Sequence, residues 1–294
     1  MEIRALPSRP PTPRALAPSS HPRWQGCIGF VSYGVRIAIR SDDSEFLDRL
    51  VDLLPPGHER CSAARVDRLY SVTRSRWAPC SRAPQSVEGR TRAYRVYAGS
   101  RPLVRSTNRD LALEVLGSDI QLTVADLARE RLFVHAGVVA WRGRAILIPG
   151  RSFTGKTSLV AALLRAGAVY YSDEYAVFDG DGYVHPYPRP LSLRVATSEV
   201  RTRCPAESLG AGTGDAPLPV GLVVVTRYRP GARWSPRPLT AGRAALALLA
   251  NTVSVRRQPE FALATLERAV SQARALRGPR PEAEEIVTTL LGLE

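Results

Sequence analysis

Eight consecutive residues, Gly150-Arg151-Ser152-Phe153-Thr154-Gly155-Lys156-Thr157, satisfy the spacing G-x-x-x-x-G-K-[S/T] at every fixed position. These residue types suit one task, which is gripping a chain of phosphates. Gly150 and Gly155 carry no Cβ, so the backbone can curl tightly and bring its N–H groups against phosphate oxygens. Lys156 supplies a point charge for the outer phosphates, the Thr157 hydroxyl is a hard oxygen donor for Mg²⁺, and Ser158 adds a hydroxyl one residue further on. The ligands implied are ATP and Mg²⁺. Asp173-Glu174 lies 16 positions beyond Thr157, counted to Asp173. Either acid can hold Mg²⁺, directly or through water, and Asp173 can accept a proton from an attacking hydroxyl. Upstream, His135 sits in the apolar run 133–139, where it is either a satisfied core residue or a neighbour of the phosphates.

The flanking segments have the character needed to position such a loop. Arg144 to Pro149 reads as a buried strand entering it. Thr157 to Arg165 reads as a helix leaving it, stopped by Gly167. Val169 to Ser172 is β-prone. A strand there ends beside the loop, where open α/β sheets bind ligands, and so delivers Asp173 to it. His135 to Trp141 and Arg144 to Ile148 predict a hairpin turning at Arg142-Gly143. Tyr175 to Phe178 and Tyr183 to His185 predict a second, turning at Asp179-Gly180-Asp181-Gly182. Two hairpins around one phosphate loop imply a mixed sheet rather than an all-parallel one.

Taken together, His135-Ala136-Gly137, the loop from Gly150 to Thr157 and Ser172-Asp173-Glu174 resemble the catalytic domain of the HPr kinase/phosphorylase family over roughly residues 130–195. The resemblance implies an α/β fold with a P-loop, mixed-sheet kinase core of the HPr kinase type. It also implies ATP-dependent transfer to a hydroxyl, with Asp173 as catalytic base, Lys156 on the β/γ-phosphates and His135 assisting nearby. The chain departs from the family pattern at Glu174, where Asp is usual, and at Ala136, inserted between His135 and Gly137. It looks closer to the HPr-kinase-related proteins of bacteria, some of which modify peptide precursors, than to the regulatory enzyme.

Length and composition bound the rest. The chain has 294 residues, 44% of them hydrophobic, enough for one large or two modest domains with a real core. The 41 Lys+Arg against 27 Asp+Glu give a net charge of +14 and a pI near 10.4. The arginines are scattered without a long basic run, so the charge is read as attraction for nucleotide and an acidic acceptor, and nucleic acid is not expected. Cys27, Cys61, Cys80 and Cys204 form no CxxC pair, which fits reduced thiols and no structural zinc. No apolar run approaches the ~20 residues of a membrane span, and no secretory leader is visible, so a cytoplasmic protein is expected.

The organisation expected is a disordered Pro/Arg-rich tail over 1–24, a small α+β accessory domain over 25–125 and the catalytic domain over 126–294. In the first domain, strands are expected within 30–40, 65–74 and 92–98, and helices over 41–54, 108–116 and 121–131. In the second, Pro186 to Arg194 reads as an extended loop whose Arg189 and Arg194 can reach phosphate. Residues 205–219 read as a gating loop or a surface excursion. Val220 to Thr226 is a central strand, and helices close the chain over 241–251, 260–276 and 281–291. The function expected is a kinase acting on a hydroxyl of a peptide, protein or small molecule. A non-catalytic ATP-binding regulatory module and a P-loop ATPase stand as alternatives, and the sequence leaves a homo-oligomer open.

Overall fold

The structure is a computed structural model that describes residues 14–15, 24–63, 65–76, 92–150, 154–194 and 201–293. The chain divides into two compact units, Met1–Ala128 and Arg129–Glu294. Most of the Pro/Arg-rich segment 1–24 lies outside the described residues. Within it, β1 (Arg14–Ala15) pairs antiparallel with Arg65–Val66.

The first unit is a mixed sheet covered by helices. β2 (Gly26–Ser32) and β3 (Val35–Ser41) form a hairpin whose turn residues, Tyr33 and Gly34, both have positive φ. Asp43 then caps the short helix α1 (Ser44–Leu50) by accepting the Phe46 N–H. Three short or long strands follow: β4 (Glu59–Arg60), β5 (Arg65–Val66) and β6 (Arg68–Arg76). β7 (Arg92–Ala98) and β8 (Arg101–Ser106) complete the sheet order β4-β2-β3-β6-β7-β8. A single helix, α2 (Arg109–Leu127), runs where two were expected, capped by the Asn108 side chain. Gly117 does not break it. The helix passes Leu53 so closely that a Cβ on Gly117 would lie 3.3 Å from the Leu53 Cβ, so the glycine serves packing.

The second unit carries the predicted phosphate loop. β9 (Leu132–Trp141) and β10 (Arg144–Pro149) pair antiparallel through Arg142 and Gly143, both at positive φ as a two-residue hairpin turn requires. α3 (Lys156–Arg165) follows the loop and ends at Gly167, φ +95°. β11 (Val169–Ser172) returns to the far side of β9, antiparallel to it and hence in the same direction as β10. β12 (Tyr175–Phe178) continues along β9, so Asp173 and Glu174 interrupt what is otherwise one strand. β13 (Val184–His185) closes the second hairpin.

Beyond it, β14 (Leu191–Arg194) pairs with β15 (Arg201–Cys204), so the expected extended loop ends in a two-stranded ribbon. The segment 205–219 is not a free excursion. Gly212 O accepts the Tyr170 N–H and the Gly214 N–H donates to Tyr170 O, which pins the segment along β11.

β16 (Val220–Tyr228) lies between β10 and β18, parallel to both. β17 (Arg237–Pro238) is an edge strand, and α4 (Ala241–Leu249) is capped by Thr240 as its sequence predicts. α5 (Pro259–Val270) stops earlier than expected. Arg274–Arg280, the last three of whose expected helical residues fall at 274–276, forms the strand β18, and α6 (Glu284–Leu291) ends the chain. The Ala/Leu/Arg composition of 273–277 favours helix, but pairing with the buried strand β16 overrides local propensity. The sheet is therefore mixed, as two hairpins imply. Its strand parity divides the core: Val139, Ile146, Ile148, Leu222 and Val224 pack with α3 and α6, while Val138, Leu147 and Val223 pack with α4 and α5. Among the described residues no helix is long and apolar enough to cross a membrane.

Candidate phosphate-binding site

The loop begins where β10 ends. Gly150 donates its N–H to His135 O at 3.1 Å, which ties the loop entrance to β9. A Cβ on Gly150 would sit 2.8 Å from Thr154 Oγ1, so the two ends of the loop close on each other through a glycine. Arg151, Ser152 and Phe153 lie outside the described residues. Gly155 caps α3 from the left-handed region, φ +85°, without a side-chain cap. The first amides of that helix therefore have no internal acceptor, the arrangement that favours an anion.

α3 can approach the sheet because β9 carries Gly137 beneath it. A Cβ there would lie 2.5 Å from Val160 Cγ2 and 3.9 Å from Lys156 Cβ. That contact brings Lys156 and Thr157 to the level at which β11 ends. The Thr157 hydroxyl donates to Asp173 Oδ2 at 3.3 Å. The Tyr170 hydroxyl shares its single proton between Asp173 Oδ1 at 3.2 Å and Arg189 O at 2.7 Å. Burial, then the Glu174 charge beside it, push the Asp173 carboxyl above the usual carboxylate range, against the donors Tyr170, the Ser192 backbone and Thr157. Burial likewise holds the Lys156 ammonium below its ordinary value, while Asp173 and Glu174 pull it back up.

Glu174 faces a different partner. Its carboxylate meets Arg189 at 2.6 Å, and neither side chain is fully buried. Arg189 thus enters the site, but on the acid rather than free for phosphate. Ser158 is exposed on α3. His135 shares the α3 face of β9 with Gly137 and Val139. Its ring lies against Tyr175 at 4.7 Å, beside the edge-to-face cluster of Tyr175, Phe133 and Tyr187. The structure therefore joins Lys156, Thr157 and Asp173, adds Tyr170 to them, and sets His135 in an aromatic wall next to them.

Among the described residues no group of three or more His, Cys, Asp or Glu could hold a metal by itself. A magnesium site needs less, since the ion keeps waters and takes substrate phosphate oxygens with one or two protein oxygens. Thr157 Oγ1 and Asp173 Oδ2, 3.3 Å apart, are oxygen donors of that kind.

A second cation went unforeseen. Arg280, at the end of β18, is 2% exposed. Its Nη2 donates to Gly155 O at 2.8 Å and its Nη1 to Pro281 O at 2.9 Å. The Tyr228 ring stands 5.4 Å from its Cζ, and Tyr228 donates its N–H to Thr154 O at 3.3 Å. No motif flags this residue, and it lies between the helices expected over 260–276 and 281–291.

No protein-family model matches this sequence, and no curated protein matches it. Among solved structures the chain is similar to the Hpr(Ser) kinase/phosphatase from Coxiella burnetii, at 14% identity, covering 55% of this chain and 92% of that one, with a TM-score of 0.28. The relationship is distant, and the site stands on its own geometry.

Proposed function

We propose that the unit Arg129–Glu294 is an ATP-dependent phosphotransferase related to the HPr kinases, acting on a hydroxyl of a peptide, protein or small molecule. The observation that carries this reading is the 3.3 Å contact between the loop's Thr157 hydroxyl and the carboxylate of Asp173. It sets a proton acceptor against the residue that would share Mg²⁺ with the phosphates. In the reaction the acceptor oxygen forms a bond to the γ-phosphorus, the bond from that phosphorus to the β–γ bridging oxygen breaks, ADP leaves, and the hydroxyl proton passes to Asp173. Thr157 and Asp173 would hold Mg²⁺, which supplies charge neutralisation on the phosphate oxygens when bound.

Composition supports the same assignment. Lys156 is the only lysine in the chain, against an otherwise all-arginine basic set of 41 Lys+Arg. A sequence that uses arginine at every other basic position keeps the compact ammonium at this one, where a slim, point-like charge must reach into a curled loop.

One observation favours a second reading, a nucleotide-binding module without transfer. Asp173 already accepts from Tyr170 and Thr157, and Glu174 is paired with Arg189, which is how a satisfied structural cluster looks. Incubation with γ-labelled ATP, Mg²⁺ and a pool of hydroxyl acceptors separates the two. Label on an acceptor supports transfer. ATP binding with label only in ATP or free phosphate removes it and leaves the module.

A further inference from the structure

Arg280 is a buried charge with no bonded counter-charge among the described residues. It is 2% exposed, and both of its hydrogen-bonded partners are backbone carbonyls, Gly155 O and Pro281 O. Its Nε is buried with no acceptor among the described residues. Glu282, whose charge acts on Arg280, accepts the Tyr228 hydroxyl at its Oε1 at 2.5 Å. Burying an ion without a paired charge is unfavourable unless something else balances it. What the guanidinium touches is the residue that caps α3, and that helix end already favours an anion.

The fit at this point is close. A Cβ on Gly155 would come within 2.4 Å of Arg280 Nη2 and 3.3 Å of Tyr228 Cβ. Gly155 is therefore demanded twice, by its positive φ and by the guanidinium lying against it. Tyr228 holds the adjoining Thr154 through its own N–H, and the Arg229 N–H donates to Arg280 O at 3.0 Å. The ends of β16 and β18 thus form one rigid bracket behind residues 154 and 155.

We infer that Arg280 is a positioning residue of the polyphosphate site: it fixes Gly155 in the left-handed conformation and supplies a second positive charge, behind the loop, that a bound polyphosphate balances. The inference rests on the triphosphate reading above and adds a residue to it. Burial lowers the Arg280 pKa, with the Glu282 and Glu284 charges acting against it.

The test titrates inorganic tripolyphosphate and ATP into the full chain and into Arg280→Gln and Arg280→Lys, at several salt concentrations, with ligand-free melting as the fold control. Gln keeps a donor for Gly155 O and drops the charge, whereas Lys keeps the charge and drops the two-carbonyl bridge. Arg280→Gln should bind tripolyphosphate about tenfold more weakly or worse, in line with loss of one charge-assisted contribution, and with a shallower salt dependence. Arg280→Lys should recover most of that affinity. Ligand-free Arg280→Gln should melt no lower than the parent, because it removes an unbalanced buried charge. Unchanged tripolyphosphate affinity in Arg280→Gln overturns the inference. So does equal weakening in both variants accompanied by lowered ligand-free melting, which is the behaviour of a purely structural residue. A parent chain that binds neither ATP nor tripolyphosphate overturns the triphosphate reading itself, and this inference with it.

Discussion

Two strands end at the candidate phosphate loop, and they bring opposite charge to it in different ways. β11 delivers Asp173, largely buried and held by the hydroxyls of Thr157 and Tyr170 as well as by the Ser192 backbone. β18 delivers Arg280, sealed at 2% exposure and held by fixed backbone carbonyls. A carboxylate held by hydroxyls can exchange partners as an acceptor arrives, because each donor swings about one torsion. A guanidinium locked to carbonyls cannot, and it acts through the backbone it touches and through its fixed charge. The carboxylate flank is suited to chemistry and the guanidinium flank to holding the loop in shape.

Replacing Asp173 by Asn strikes hardest at that division. If the carboxylate flank performs the proton transfer, Asp173→Asn lowers transfer of label from γ-labelled ATP to acceptor by roughly 10²–10⁴-fold, the range for a positioned base. The dissociation constant for ATP should move by no more than about threefold, well under the ~1.4 kcal/mol of a tenfold change. Equal loss of binding and transfer would break the comparison, because the carboxylate would then be part of the cradle.

The carboxylate flank was legible in the sequence and the guanidinium flank was not. A fixed-spacing motif marked Gly150, Gly155, Lys156 and Thr157, and a β-prone run placed Asp173 at a strand end. Both signals are local, and the sheet closed the remaining distance. The second acid misled in part: Glu174 stands beside Asp173 in sequence, but the two lie at the bend between β11 and β12, and its carboxylate meets Arg189 instead. β18 carried no local signal. Its first residues, Arg274-Ala275-Leu276-Arg277, favour helix, and what makes it a strand is β16, about fifty positions earlier. Arg280 was hidden by composition, since an arginine attracts no notice in a chain built on arginine. The same limits applied in the first unit. Two helices were expected over 108–116 and 121–131 where one runs, because the packing of Gly117 against Leu53 involves a residue remote in sequence.

The guanidinium flank is probed next by Gly155→Ala. The new methyl meets both an unfavourable φ of +85° and Arg280 Nη2 at 2.4 Å. It should destabilise the fold by about 1–3 kcal/mol, the scale of a strained backbone position, and weaken tripolyphosphate binding about tenfold. Combining it with Arg280→Gln sharpens the comparison. If the two residues act as one bracket, the losses fall short of additive by roughly 0.5–3 kcal/mol in a double-mutant cycle of binding energies. Additive losses would mean that Arg280 does not work through Gly155.

The smallest effect belongs to Glu174, and its sign is the informative part. Glu174's charge is the second cause, after burial, of the raised Asp173 carboxyl. A carboxyl raised in the folded state above its unfolded value of about 3.9 binds more protons folded than unfolded between the two values. Its contribution to stability is fully present below the unfolded value and is lost as pH rises through the folded one. Glu174→Gln removes one upward push, so in the nucleotide-free, chelator-treated chain the acid-side fall in melting temperature should finish at lower pH than in the parent. The ion pair lost with Arg189 is partly exposed, at 20% and 38% of the two side chains, and should cost at most about 1 kcal/mol at all pH values above the carboxylate range. Melting curves across pH separate the two effects, one moving the midpoint and the other only the level. A midpoint moving to higher pH would mean that Glu174 shields Asp173 rather than charging it. Loss of transfer in Glu174→Gln as deep as in Asp173→Asn would place both acids at the reacting phosphate and erase the contrast between a working carboxylate and a bystander.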